Sequence, residues 1–153
     1  MLSIINASAG TGKTYTLVKN YLLEILSKNS NDEFKKLIGL TFTNKAVHEM
    51  KNRIISILYH FSKTKEKKKY QSLFFEISKK TNLSTNELEY KSGVILKKIL
   101  HQYSFFEIKT LDKFSLKIIR NFYKDLDIAY NFQVELNSEI ILKYTVLMYT
   151  NQS

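Results

Sequence analysis

The chain has 153 residues, of which 44% are hydrophobic and 13% aromatic, enough for one folded domain with a sizeable core. It contains no cysteine, which excludes a disulfide framework and a thiolate metal site. Its formal charge of +10 indicates an anionic partner, nucleic acid first, or else the lysine-rich usage of an AT-rich genome. The charge alone does not separate these two explanations.

The N-terminal segment does not have the pattern of a secretory signal. "MLSII" has no cationic region before it and is followed at once by polar and glycine residues. No apolar run of the chain approaches the ~18 residues that a membrane span needs. We therefore expect a soluble, cytoplasmic protein without membrane contact.

The first predicted elements are a strand and a helix joined by a glycine-containing loop. "LSIIN" (2–6) has the pattern of a short buried strand. A helix is predicted over 13–28, because apolar residues recur there at helical spacing. These residues are Leu17, Val18, Tyr21, Leu22, Ile25 and Leu26.

The loop "ASAGTGKT" (7–14) has the composition of a phosphate-binding loop. Gly10 and Gly12 permit positive φ and close backbone approach, in a chain with only 4 glycines. An ordinary βα turn would leave this clustering unexplained. The helix N-terminus adds partial positive charge, Lys13 would reach the β- and γ-phosphates, and the Thr14 hydroxyl would ligate Mg²⁺. The predicted nucleotide-binding residues are Ala7, Ser8, Ala9, Gly10, Thr11, Gly12, Lys13 and Thr14, with Lys13 and Thr14 as the catalytic pair.

A second strand–helix pair follows the polar loop "NSNDEFKK" (29–36). "LIGLTF" (37–42) predicts a buried strand, and a helix is predicted from Asn44, as its N-cap, to about Phe61. The apolar stripe of this helix consists of Val47, Met50, Ile54, Ile57, Leu58 and Phe61. The β–α–β–α order predicts an α/β fold with a parallel sheet covered by helices.

The middle of the chain, 63–103, shows only helical patterns and is predicted to be a helical insertion. Ser84 and Glu87 have the spacing of a capping box at the start of its second helix. "SFFEIKT" (104–110) predicts a third strand, and "DKFSLKIIRNFYKDL" (112–126) predicts a helix. A last helix is predicted over 139–150.

Three of these segments resemble motifs of one family. "ASAGTGKTYTL" (7–17) has the form A-x-x-G-x-G-K-T, with Ala7 where the strict phosphate-loop pattern has glycine, and resembles motif I of superfamily 1 helicases of the UvrD/RecB-like group. "LTFTNKAVHEMKNRI" (40–54) resembles motif Ia of that family. "IKTLDKFSLKIIRNF" (108–122) is similar to its Thr-Ile-His-Ser-Phe motif, with Asp112 where many members have His and Lys113 where many have Ser.

The resemblance implies an α/β, RecA-like P-loop NTPase fold with a helical insertion, incomplete relative to the family. It implies that 1–62 and 104–153 belong to RecA-like domain 1A, and about 63–103 to a 1B-type insertion. It further implies a 3′–5′ DNA helicase or translocase, with or without a nuclease, acting in repair or recombination. ATP and Mg²⁺ would be its cofactors and single-stranded or partly duplex DNA its partner, with partner subunits left open.

The DNA contacts are expected at the carboxyl ends of the strands. Thr43 and Asn44 would lie at this edge of the sheet, where their donors can hold a phosphate. The residues alone favour Phe42 as a core side chain, whereas the resemblance favours stacking on a base, worth ~1–3 kcal/mol. The implied DNA-binding residues are Thr41, Phe42, Thr43, Asn44, Lys45, Thr110, Asp112 and Phe114.

Parts needed for hydrolysis are missing from the sequence. A phosphate-transferring site of this kind needs an acid that holds Mg²⁺, a residue that orients water, and an arginine. No apolar strand ends in Asp-Glu, and Arg53 and Arg120 lie in helices that match other motifs. We therefore expect the N-terminal part of a longer helicase, not catalytically competent in isolation.

Two alternatives stay open. One is a complete small P-loop enzyme of kinase type with Asp112 as its Mg²⁺ acid, although this leaves "TFTNKAVHEM" unexplained. The other is a non-enzymatic basic module that only binds nucleotide or DNA.

Overall fold

The computed structural model describes residues 12–63, 67–129, 131, 132 and 142. The predicted strand 2–6, loop residues 7–11 and all of the predicted last helix except Leu142 lie outside these residues. In chain order, the helices and strands are α1 (Lys13–Ser27), β1 (Gly39–Thr41), α2 (Asn44–Phe61), α3 (Gln71–Thr81), α4 (Thr85–His101), β2 (Ile108–Thr110) and α5 (Leu111–Asn121). Short 3₁₀ turns occupy Glu33–Lys36, Lys67–Tyr70 and Tyr103–Phe105.

The chain divides into two compact units, Met1–Phe114 and Ser115–Ser153. The first unit contains both strands, the helices α1 to α4 and the start of α5. In the second, the described residues are the rest of α5 and the turns that follow it. All of the candidate site residues lie in the first unit.

The two strands of the described part form a parallel pair, as their sequence positions predict. Gly39 pairs with Ile108, and Thr41 at the carboxyl end of β1 pairs with Thr110 at the carboxyl end of β2. The links that lead into α2 and α5 therefore leave the same edge of this small sheet. The predicted parallel arrangement is confirmed for these two strands, whereas the predicted strand 2–6 and its place in the sheet lie outside the described residues.

Both strands are shorter than the sequence predicts. In the predicted strand 104–110, the first residues instead form the turn Tyr103–Phe105, in which Phe106 N–H donates to the Tyr103 carbonyl at 3.1 Å. The chain has just left α4, and this turn brings the Phe106 side chain into the core. The strand β2 begins at Ile108, two residues after the buried Phe106.

The predicted apolar stripes of α1 and α2 face the core with one exception in each helix. Leu17 is 40% exposed, and Val47 packs at the edge of the core rather than within it. The other predicted residues of both stripes are buried and belong to one cluster. The helical spacing of apolar residues, with a period of 3.6, thus correctly predicted the buried faces of α1 and α2.

The start of α2 differs from the prediction by one residue. Thr43, not Asn44, is the N-cap, because its Oγ1 accepts a hydrogen bond from Ala46 N–H at 3.1 Å. Asn44 is thus the first helical residue. The capping box of α4 is confirmed, since Ser84 Oγ accepts from Glu87 N–H and the Glu87 carboxylate accepts from Ser84 N–H.

The helices of the predicted insertion pack directly on α1 and α2. Their buried side chains, among them Leu73, Phe74, Ile77, Leu88, Ile95 and Ile99, belong to the same hydrophobic cluster as the buried faces of α1 and α2. In the described residues, no helix combines the length and apolar character needed to cross a membrane.

The polar loop 29–36 contributes one side chain to the core, which its composition did not indicate. Its single aromatic residue, Phe34, is completely buried, while the 3₁₀ turn that carries it keeps Glu33, Lys35 and Lys36 at the surface in ion pairs. Truncating a buried phenylalanine typically costs about 3–5 kcal/mol. This segment is therefore an integral part of the fold.

Candidate functional site

The N-terminus of α1 is formed by a glycine in a left-handed conformation. Gly12 has φ 80° and ψ 12°, and its carbonyl accepts from Thr16 N–H at 2.9 Å. Gly12 thus has the positive φ that the motif predicts. Thr14 in the first turn is half-buried, whereas Ala7 to Thr11 and the side chain of Lys13 lie outside the described part.

This helix end has the electrostatic character of an anion site. No side chain caps α1 at Gly12, and its first turn carries no acidic residue. Uncapped N–H groups and the helix dipole attract negative charge, such as a phosphate. Among the described residues, no heavy atom lies within 4 Å of the position that a Cβ atom at Gly12 would occupy.

The link between β1 and α2 turns Phe42 outward. Thr41 Oγ1 donates to the Thr43 carbonyl at 3.2 Å, and Thr43 Oγ1 accepts from Ala46 N–H at 3.1 Å. These two bonds hold the residues on either side of Phe42, and the Phe42 side chain is 85% exposed. The expectation from the residues alone, that Phe42 is part of the core, is therefore wrong.

At the junction of β2 and α5, Thr110 directly precedes the helix and repeats the second of these two bonds. Thr110 is buried, and its Oγ1 accepts from Lys113 N–H at 3.3 Å, with the same three-residue offset as Thr43 and Ala46. Leu111 and Asp112 are exposed, and Phe114 is half-buried. A threonine therefore fixes the first turn of each helix at this edge.

A side-chain hydrogen bond joins the two links. Lys113 Nζ donates to Asn44 Oδ1 at 3.0 Å. The structure thus gathers most of the predicted DNA-binding residues at one edge, with Thr41 and Thr110 paired in register. Lys113 was not among the predicted site residues. The signal that could have found it is its position three residues after Thr110, within the third motif.

The basic residues of α2 have different environments. Lys45 is exposed, whereas the Arg53 guanidinium pairs with the Glu49 carboxylate one turn away at 2.7 Å. The ammonium of Lys51 lies 4.5 Å from the centre of the Tyr103 ring, and burial lowers the pKa of this lysine. Lys51 therefore packs against the body of the domain, and of these three cations Lys45 stands nearest in sequence to the exposed link.

The described residues contain no group of three or more His, Asp or Glu side chains arranged to hold a metal ion. Thr14, whose hydroxyl is the oxygen ligand predicted for Mg²⁺, lies in the first turn of α1.

Comparison with known proteins places this arrangement in a family. The model of the UvrD/REP helicase N-terminal domain matches residues 2–151. An ATP-dependent helicase/nuclease subunit of Lachnoclostridium phytofermentans is 30% identical over 139 residues, which are 91% of this chain and 8% of that protein. The corresponding helicase/nuclease subunit of Lactobacillus acidophilus is 32% identical over 134 residues, which are 86% of this chain and 9% of that protein.

A relative of another type gives the same result. The RecBCD enzyme subunit RecB of Borreliella burgdorferi is 36% identical over 133 residues, which are 84% of this chain and 10% of that protein. The chain spans about a tenth of the length of these relatives. No solved structure matches it. The resemblance carried by the three motifs is confirmed, and the chain belongs to the UvrD/REP helicase N-terminal domain family.

Proposed function

We propose that this chain provides the ATP-binding and part of the single-strand-binding surface of a 3′–5′ DNA helicase or translocase of the helicase–nuclease type. Its role would lie in DNA repair or recombination. Family membership supports the reaction class, and the names of the relatives support coupling to a nuclease. The exposed Phe42 at the carboxyl edge of the parallel strands is the observation that carries the DNA-binding part.

The nucleotide would bind at the N-terminus of α1, in a P-loop NTPase fold of the RecA type. Gly12 would allow the backbone to approach the ligand closely, and the N–H groups in the first turn of α1 would donate to phosphate oxygens. Lys13 would add a positive charge beside the β- and γ-phosphates. Mg²⁺, held by the Thr14 hydroxyl, would neutralise the phosphate charge when bound.

The DNA strand would pass over the edge formed by the two strand–helix links. Phe42 offers a ring face on which an unpaired base can stack, and stacking is tolerant of base identity because every base has a π-face. The N-termini of α2 and α5, which lie side by side here, favour the phosphate next to that base. Lys45 adds an exposed charge beside them.

In the assignment that we propose, 1–62 and 104–153 form domain 1A and about 63–103 a 1B-type insertion. The isolated chain would bind nucleotide and single-stranded DNA but would not unwind a duplex. The sequence contains no apolar strand ending in an acidic pair that could hold Mg²⁺, and no arginine outside the helical motifs. These groups carry much of the rate of phosphoryl transfer, an arginine alone about 10³–10⁵-fold.

Binding of a fluorescent oligo-dT to the purified chain tests this proposal. Phe42→Ala should weaken binding by ~5- to 150-fold, which corresponds to the ~1–3 kcal/mol of one base stack. The variant should unfold at the temperature of the wild type, because the ring is almost fully exposed.

Tyr90→Ala is the matched control. Tyr90 is 75% exposed, and it lines a groove beside Ser62 and Lys63 at the far end of α2. An 18-residue helix is ~27 Å long, so Tyr90 lies well away from Phe42. Equal affinity of wild type and Phe42→Ala, or an equal loss in both variants, would contradict DNA binding at this edge.

A further inference from the structure

The contact between Lys113 and Asn44 determines the orientation of an amide group. A lysine ammonium has only donors, so the amide atom that faces it must be the oxygen. Lys113 Nζ lies 3.0 Å from Asn44 Oδ1, and the NH₂ group of Asn44 is therefore turned away from Lys113. Asn44 is exposed, and among the described residues its NH₂ group donates to no protein acceptor.

Both side chains start from backbone positions that are themselves held. The Lys113 N–H donates to Thr110 Oγ1, in the first turn of α5. Asn44 follows directly after the N-cap Thr43, whose Oγ1 accepts from Ala46 N–H. The two helices therefore present Lys113 and Asn44 to each other in a geometry set by two threonines and by the parallel register of the strands.

We propose that Lys113 is a positioning residue for nucleic acid, acting through Asn44. It holds the amide so that the NH₂ group, rather than the carbonyl oxygen, faces a phosphate oxygen of a single strand whose base stacks on Phe42. Without Lys113 the amide turns freely and also presents its oxygen, which repels a phosphate. This inference rests on the proposed function and adds a specific donor and the residue that orients it.

The expected losses follow from these roles. Asn44→Ala removes a hydrogen bond to a charged group and should weaken oligo-dT binding by roughly 10- to 160-fold. Lys113→Met keeps an unbranched side chain, one atom shorter, and removes the donor, so that the Asn44 amide must be ordered on binding. Ordering one side chain corresponds to about 2- to 13-fold in affinity.

A double-mutant cycle separates positioning from direct contact. If Lys113 acts through Asn44, Lys113→Met should have no effect in the Asn44→Ala background. If Lys113 instead contacts a phosphate itself, the same loss appears in both backgrounds, and the slope of log affinity against log salt falls by about 0.7. An equal loss in both backgrounds, or a lower salt slope for Lys113→Met, would overturn the inference.

Two further variants complete the test. Lys113→Arg keeps a donor and should restore affinity to near the wild-type value, whereas Lys97→Met, an exposed lysine of α4, should leave it unchanged. Failure of arginine to restore binding would count against positioning. If Phe42→Ala did not weaken oligo-dT binding, the proposed function and this inference would both be overturned. If Phe42→Ala weakened oligo-dT binding as expected but Lys113→Met did not, only the inference about Lys113 would be overturned.

Discussion

The three described glycines, Gly12, Gly39 and Gly93, should respond to alanine substitution with different signs of the stability change. Gly12 has φ 80°, where a residue with a Cβ atom is disfavoured by roughly 1–2 kcal/mol. No atom of the described residues lies within 4 Å of the position that the Cβ would occupy, so the expected cost is that of the backbone conformation. We expect Gly12→Ala to lower the free energy of unfolding by about 1–2 kcal/mol.

Gly93 and Gly39 provide the comparison. Gly93 lies in the interior of α4, and a Cβ there would be 3.4 Å from Ser62 Cβ, so alanine should stabilise the helix by about 0.5–1 kcal/mol. At Gly39 a Cβ would be 3.2 Å from both Ile108 Cγ1 and Met50 Cε. These side chains must shift, and overpacking of this kind costs about 1–3 kcal/mol.

Thermal unfolding followed by circular dichroism measures all three variants under one condition. A change of 1 kcal/mol moves Tm by about 2–4 °C at this chain length, so Gly12→Ala should melt ~2–8 °C below the wild type. Gly93→Ala should melt at or above the wild-type temperature. If Gly12→Ala were as stable as Gly93→Ala, the left-handed start of α1 and the phosphate loop built on it would be refuted.

Two other predictions concern the nucleotide and pH. Lys13→Ala should abolish most Mg·ATP binding in calorimetry, because it removes the charge beside the β- and γ-phosphates. Lys28→Ala, at the other end of α1, is the control and should leave the binding unchanged. Equal affinities of the wild type and Lys13→Ala would count against the phosphate-binding loop. Hydrogen bonds from the Ser84 side chain and backbone lower the pKa of the Glu87 carboxyl below its ordinary 4.5. The stabilising effect of the ionised Glu87 is therefore fully present above pH 4.5 and is lost as the pH falls through the folded-state pKa. The Tm difference between wild type and Glu87→Gln should therefore be largest near neutral pH and shrink below pH 4.5, and a difference that stays constant down to low pH would contradict this assignment.

Features that depend on neighbours along the chain could be predicted from the sequence. The buried faces of α1 and α2 follow from period 3.6, and the capping box of α4 follows from the three-residue offset between Ser84 and Glu87. The positive φ of Gly12 follows from a glycine placed directly before a helix. Each of these features lies within one helix or at its end, so the pattern along that segment contains the necessary information.

The sequence pattern could not distinguish between two neighbouring N-cap residues of similar capping energy. Thr43 and Asn44 are both good N-cap residues, and either could start α2. The parallel pairing of Thr41 with Thr110 determines where β1 ends, and the hydrogen bond from Lys113 uses the Asn44 side chain for another purpose. In the structure, Thr43 is the cap, while Asn44 makes a side-chain contact with a distant segment.

Burial of single side chains in irregular segments also depended on distant contacts. Phe34 stands in a polar run yet fills the core, and Phe42 ends an apolar strand yet is exposed. Lys51 continues the spacing of the α2 stripe and packs against the rings of Tyr103 and Phe106, more than 50 residues away in the sequence. A side chain gains hydrophobic free energy only where other segments cover it, and which segments do so is set by the packing of the whole domain.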